Sequence, residues 1–308
     1  MTGRDEKILV IKLGALGDFV QAFGAMAAIR RYHNAADITL LTAAPFVGFG
    51  ENCGYFDHVW CDEKPKLTQI KSWLHLRKKL NAENFTRVYD LQNNDRTGFY
   101  FRLFLKKPEW VGIAKGASHR NISPQRTAGH AFEGHIQTLK LAGINEVSPD
   151  DLSWMKADVS RFSLNRPYIL LVPGCAPSRP EKRWPAEHYG ALARVLVARG
   201  FHPVIIGSEG EKDLAVKIQE MEPAAVDLTG QTTLPEIAVL ARNAAGAIGN
   251  DTGPMHMVGQ TGCRTYVLFS RHSNPVKHAP FGNHVQTLQA EELRELSVEQ
   301  VLAFSHFD

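Results

Sequence analysis

Lys12-Leu-Gly14-Ala-Leu-Gly17-Asp18 puts a lysine, two glycines and a carboxylate directly behind the apolar run Ile8-Leu-Val-Ile. Glycines where a strand gives way to a helix let backbone approach a ligand, and unpaired N–H groups at a helix start attract anions. Asp18 has two readings here: it caps the helix, or it lies exposed as a general base. A second stretch, Pro173-Gly-Cys-Ala-Pro-Ser178-Arg179-Pro-Glu-Lys182-Arg183-Trp184-Pro185, follows another apolar run. Its hydroxyl and cations, Ser178, Arg179, Lys182 and Arg183, suit a phosphate, although an ordinary exposed loop would read the same way. The third, Gly249-Asn-Asp251-Thr252-Gly253-Pro254-Met-His256, places small and polar residues just ahead of a predicted helix. Free N–H donors there suit a diphosphate leaving group, and His256 either adds a donor from the first turn or packs as an ordinary side chain.

These stretches sit in a regular grammar of strand, turn and helix. Strands are predicted over 8–13, 37–42, 58–61, 87–91 and 110–113, with helices over 18–33, 67–81 and 131–142. Residues 148–165 turn polar and irregular, as a linker does. The pattern then restarts, with strands over 167–173, 202–207, 245–249 and 264–269 and helices over 186–199, 211–220, 234–244 and 298–305. Alternation of this kind predicts parallel βαβ units and an α/β fold. The expected domains are 1–157 and 158–308, two Rossmann-like halves facing each other across a cleft, where small ligands bind at the carboxyl ends of strands.

The length of 308 residues and 44% hydrophobic content suit two such cores. No apolar run is long enough to span a bilayer, and no signal-like stretch precedes the first strand, so cytoplasmic residence is expected. The four cysteines are scattered, with neither C-x-x-C nor zinc spacing, so no disulfide framework or metal is expected. A nicotinamide-cofactor site would need G-x-G-x-x-G and an acid closing the second strand. The chain has G-x-x-G and Leu41-Thr-Ala-Ala-Pro45 instead, which argues against a dehydrogenase. The net charge of +3 hides an uneven distribution: residues 64–126 hold 14 Lys and Arg against four acids. Such an excess favours an anionic partner or a negatively charged membrane face, or is simply a solvated surface. No nucleic-acid-binding motif accompanies it.

The motifs Ile8-Leu-Val-Ile-Lys-Leu-Gly-Ala-Leu-Gly-Asp18-Phe-Val, Lys182-Arg-Trp-Pro185, Asp227-Leu-Thr-Gly-Gln, Leu234-Pro-Glu-Ile and Asn250-Asp-Thr-Gly-Pro-Met-His256 together resemble glycosyltransferase family 9. Its best-known members are the ADP-heptose:lipopolysaccharide heptosyltransferases. The resemblance implies the GT-B architecture, no essential metal or other cofactor, a nucleotide-sugar donor such as ADP-heptose, and transfer with inversion to a lipopolysaccharide core or related anionic glycan. It also implies Asp18 as the base on the acceptor hydroxyl and Lys182 as the cation on the donor phosphate. Asp251, Thr252 and Gly253, with His256 nearby, then fall to the donor and Glu209 to the ribose, beside Gly14, Gly17, Ser178 and Arg179, which the turn and loop readings already offer to its phosphates. Arg120 and Arg126 fall to the acceptor if they reach the cleft, and the basic segment as a whole either holds that anionic acceptor or makes peripheral contact with the inner face of the membrane. After Tyr266-Val-Leu-Phe269 many members continue Gly-Pro-Thr-x-Pro, whereas this chain reads Ser270-Arg-His-Ser-Asn-Pro275; that change leaves base and sugar open. A GT-B nucleotide-sugar epimerase and a catalytically silent nucleotide-sugar-binding protein are the competing expectations.

Overall fold

The computed structural model describes residues 6–307. The chain divides into two compact units, Met1–Asp150 and Asp151–Asp308. In the first, the elements in order are β1 (Lys7–Ile11), α1 (Leu16–Tyr32), β2 (Asp37–Thr42), α2 (Val47–Asn52), β3 (His58–Cys61) and α3 (Ile70–Ala82). They continue with β4 (Arg87–Asp90), α4 (Asp95–Leu103), β5 (Glu109–Gly112), β6 (His119–Arg120) and α5 (Ala131–Lys140). The second unit contains β7 (Tyr168–Val172), α6 (Ala186–Ala198), β8 (His202–Ile205), α7 (Lys212–Met221), β9 (Val226–Asp227) and α8 (Leu234–Asn243). It ends with β10 (Gly246–Asn250), α9 (Gly253–Gln260), β11 (Thr265–Ser270), α10 (Pro275–His278), β12 (Val285–Ala290) and α11 (Val298–Ser305).

Each unit is built on a six-stranded sheet whose pairings are all parallel. The first has the order β3-β2-β1-β4-β5-β6 and the second β12-β11-β10-β7-β8-β9. Read from its other edge, the second sheet repeats the first: both are the doubly wound order in which strand order reverses beside the first strand. Parallel strands covered on both faces must be apolar along their whole length. Ile8, Leu9, Val10 and Ile11 of β1 and all five residues of β7 are buried accordingly. One face of the first sheet packs with Tyr100, Phe101, Phe104 and Trp110. In the second unit Trp184, Tyr189, Leu192 and Leu196 pack on β7 and β8.

The expected strands and long helices are present, with ends shifted by no more than three residues. Elements that the hydrophobic pattern did not announce are α2, α4, β6, β9, α10 and β12. Helix α4 contains Gly98 and three aromatic residues, a poor helical composition. It forms because Asn94 caps it, its Oδ1 accepting from Thr97 N at 3.0 Å while Thr97 Oγ1 accepts from Asn94 N at 3.3 Å. Burial of Thr97, Tyr100, Phe101 and Leu103 completes the support. Of the cysteines, Cys53, Cys175 and Cys263 are buried and free, and Cys61 is exposed and free.

Candidate functional site

In a doubly wound sheet, the crevice outside the carboxyl ends of the strands flanking the order reversal is where ligands bind. In the first unit those strands are β1 and β4. β1 runs through Lys12 into the turn at Gly14, where φ is +116° and an added Cβ would lie 2.6 Å from a Phe46 ring carbon. Only glycine tolerates both conditions. Leu13 N donates to Gln92 Oε1 at 2.8 Å and Lys64 Nζ to Leu13 O at 3.0 Å, fixing the turn from both sides.

Helix α1 starts at Leu16 with Ala15 as its N-cap, so Asp18 is a first-turn residue and not the cap. Its side chain is exposed, while Gly17 is buried. A carboxylate in the first turn is favoured by the helix dipole and remains accessible to a substrate hydroxyl. Behind it lies a residue that pattern reading quoted without assigning it a role. The Lys12 ammonium is almost wholly buried and donates to Leu91 O at 3.1 Å. Burial lowers its pKa, opposed by the negative charges of Asp18 and Asp90. Asp90, closing β4, is fully buried, and burial pushes its pKa up to about 6 against the backbone N–H groups of Asn93 and Gln92 and the Lys12 charge. Burial also holds His135 of α5 neutral, down to about 3, helped by the positive charges of Lys12, Arg126 and His130.

Arg120 and Arg126 are brought together on the wall of a cavity of about 780 Å³ in the same unit, along with Arg102, Lys115, Asn94 and Phe99. Four cations against the single acid Asp95 give it a net positive lining, which attracts anions. Arg102 and Lys115 are the members that sequence reading missed, because nothing in their spacing singles them out from the other cations of the basic segment.

In the second unit the reversal falls between β7 and β10. The loop after β7 delivers Lys182, and the turn after β10 delivers Asp251, Thr252 and Gly253. Lys182 Nζ lies 2.6 Å from Asp251 Oδ2 and 3.2 Å from Ser273 Oγ, and Ser273 Oγ donates to Asp251 Oδ2 at 2.5 Å. The lysine and aspartate side chains are 17% and 8% exposed, so this is a held ion pair rather than a loose surface contact. Asn250 anchors the assembly from below: its Oδ1 accepts from Trp184 N at 3.0 Å and Tyr189 Oη at 3.2 Å, and its Nδ2 donates to Pro173 O at 2.8 Å. Thr252 is the N-cap of α9, and its side chain makes no capping hydrogen bond.

The remaining sequence-predicted residues spread around this centre. Ser178 is exposed. Arg179 pairs with Glu181 and donates to His272 O at 3.0 Å. Glu209 is exposed and pairs with Lys212 at 3.6 Å, whereas its neighbour Glu211 turns inward, its carboxylate accepting from Ser208 N at 2.7 Å. A side chain at Gly174 would collide with that carboxylate, 1.6 Å from the added Cβ. His256 is buried within α9. Ser273 was not foreseen: it stands in the stretch after β11 that departs from the family pattern, and only its contact with Lys182 and Asp251 marks it.

A model of glycosyltransferase family 9 (heptosyltransferase) matches residues 73–303. The lipopolysaccharide core heptosyltransferase OpsX of Haemophilus influenzae is 22% identical over 298 residues, spanning 92% of this chain and 84% of that one. The crystal structure of a family 9 glycosyl transferase from Veillonella parvula matches with a TM-score of 0.83 at 21% identity, covering 97% of this chain and 95% of that one. E. coli heptosyltransferase WaaC with ADP matches with a TM-score of 0.76 at 18% identity, covering 97% and 98%. The architecture is GT-B, two parallel-sheet α/β domains. With the family model spanning well over half of its length, the chain belongs to glycosyltransferase family 9, the heptosyltransferase family, and is a glycosyltransferase.

Proposed function

We propose that this enzyme transfers a heptose from ADP-heptose to the core of lipopolysaccharide or a related anionic glycan, with inversion at the anomeric carbon and without a metal ion. The observation that carries the reading is the Lys182–Asp251–Ser273 arrangement at the start of α9. An ammonium group has three N–H donors. Asp251 and Ser273 take two and aim the third, so a phosphate oxygen of the donor completes the set. Pro254 has no N–H and Met255 N donates to Thr252 O at 3.1 Å, so the Thr252 hydroxyl and the Gly253 N–H are the neutral donors that the start of α9 adds on the same diphosphate. The ADP named with WaaC and the lipopolysaccharide core named with OpsX support the choice of donor and acceptor. The cationic cavity of the first unit supports an acceptor bearing phosphates or carboxylates.

In this reading the reaction is one displacement. The acceptor oxygen forms its bond to the anomeric carbon as ADP leaves from the opposite face. Asp18 takes the proton of the acceptor hydroxyl, while Lys182 and the start of α9 stabilise the charge growing on the diphosphate. The reading places this work in the cytoplasm, on an acceptor held at the inner face of the membrane. Asp18→Asn tests it, since the change removes the base and keeps the shape. Transfer is expected to fall about 10²- to 10⁴-fold with ADP-heptose affinity unchanged in titration calorimetry. Turnover close to wild type would remove Asp18 from the chemistry.

A further inference from the structure

Helix α3 carries an apolar stripe that no described residue covers. Leu67 is 89% exposed, Ile70 68% and Leu74 57%. Ile70 and Leu74 are four residues apart, on one helix face, while Leu76 and Leu80, about 120° further round the helix, enter the core. The exposure is built rather than frayed. Trp73 Nε1 donates to Lys66 O at 3.0 Å, and Gln69 Oε1 accepts from Lys66 N at 2.7 Å, holding the turn that carries Leu67 against the helix start.

Cations flank the stripe. Residues 64–82 contain six Lys and Arg and no acid. Lys79 lies over the Trp60 ring and Lys64 serves the Gly14 turn, but Lys66, Lys71, Arg77 and Lys78 are exposed. On a helical wheel Arg77 falls on one side of the Ile70–Leu74 line, and Lys71 and Lys78 on the other. An apolar centre with a cationic border is the pattern of a surface that enters the headgroup layer of an anionic bilayer. A protein partner would meet the same apolar centre, but a border of four cations without a single acid matches a continuous negative surface.

We propose that this face of α3 docks the enzyme on an anionic phospholipid bilayer. The Trp73 ring packs edge-on against Phe99 at 5.1 Å, and Phe99 lines the cavity holding Arg102, Lys115, Arg120 and Arg126. Docking through α3 therefore brings this cationic cavity to the membrane surface. That places it beside a lipid-anchored acceptor, the one point at which the inference rests on the proposed function.

Co-sedimentation of the full chain with vesicles tests it without donor or acceptor, so its outcome is separate from that of any transfer assay. Vesicles of phosphatidylethanolamine and phosphatidylglycerol are expected to pellet the protein at low salt, and vesicles of phosphatidylcholine alone are not. Ile70→Ser with Leu74→Ser should lower the partition coefficient at least about tenfold, by loss of buried methylenes. Lys71→Gln with Lys78→Gln should lower it about fivefold per cation. Both pairs alter exposed residues, and an unchanged Tm confirms that each variant is folded. Binding of the variants at the wild-type level, or failure of the wild type to pellet with anionic vesicles, overturns the proposal. So does a dimer in sedimentation velocity that Ile70→Ser with Leu74→Ser splits while vesicle binding stays intact, because the stripe would then be an interface between copies.

Discussion

At the scale of single residues, the two ends of the proposed reaction are handled differently. Asp18 is left exposed in a first turn, whereas Lys182 is held by two partners before any ligand arrives. In that proposed reaction Asp251 and Ser273 serve as positioning residues for Lys182, since a carboxylate cannot itself attract a diphosphate. Lys182→Ala is expected to weaken ADP-heptose binding and to slow transfer together, because the charge it meets grows during the reaction. Ser273→Ala removes one hydrogen bond and leaves the charge, so donor affinity should fall by only about tenfold or less. Equal losses in the two variants, read by titration calorimetry, would contradict the division of roles.

His135 supplies a pH signature on stability. Its folded pKa of about 3 lies below the ordinary 6.5, so the native state holds it neutral. The stability this represents is complete above pH 6.5 and is lost as pH falls from 6.5 towards 3, at up to about 1.4 kcal/mol per unit. His135→Gln should flatten this part of the profile, narrowing the difference between urea unfolding free energies at pH 7.5 and pH 5 by up to about 2 kcal/mol. An unchanged difference would mean that His135 is not the group that titrates.

At the scale of elements, what was legible in the sequence followed runs of apolar residues. β2, β3 and α11 stand where their patterns predict, and the three motif loops fall at the carboxyl ends of β1, β7 and β10. β12 escaped because Gln286, Thr287 and Gln289 break up its apolar residues, whereas β3, an edge strand with equally exposed side chains, is announced by Val59-Trp60. α4 escaped because tertiary burial and a capping box override its poor helical propensity. In the candidate site, Gly14, Asp18, Lys182 and Asp251 stood out by type and spacing as groups a ligand could meet, but spacing left Asp18 as either cap or base, and the roles given to Asp18 and Lys182 came from the family resemblance. Ser273, Arg102 and Lys115 did not stand out, since their roles come from neighbours far away in sequence. The turn at Gly14 gives an element-scale prediction. Gly14→Ala must adopt a positive φ and displace the Phe46 ring, which stacks on Phe19 at 4.7 Å. The expected destabilisation is about 2 kcal/mol or more, measured by urea unfolding, and an effect below about 0.5 kcal/mol would show that the turn relaxes freely.

At the scale of the whole molecule, one doubly wound plan is used twice with different surfaces. The first unit carries the excess of positive charge, the anion cavity and the apolar stripe of α3. The second unit carries the held lysine and the start of α9. Such a division suits an enzyme whose acceptor is large and anionic and whose donor is a compact nucleotide sugar. The direct measurement is to incubate the purified chain with ADP-heptose and a lipopolysaccharide core acceptor in excess EDTA, following ADP release and the acceptor by mass spectrometry and NMR. The account predicts ADP formed in step with an acceptor carrying one added heptose, with inverted anomeric configuration. ADP-heptose consumed without acceptor to give an isomer, or transfer abolished by EDTA and restored by magnesium or manganese, would contradict it.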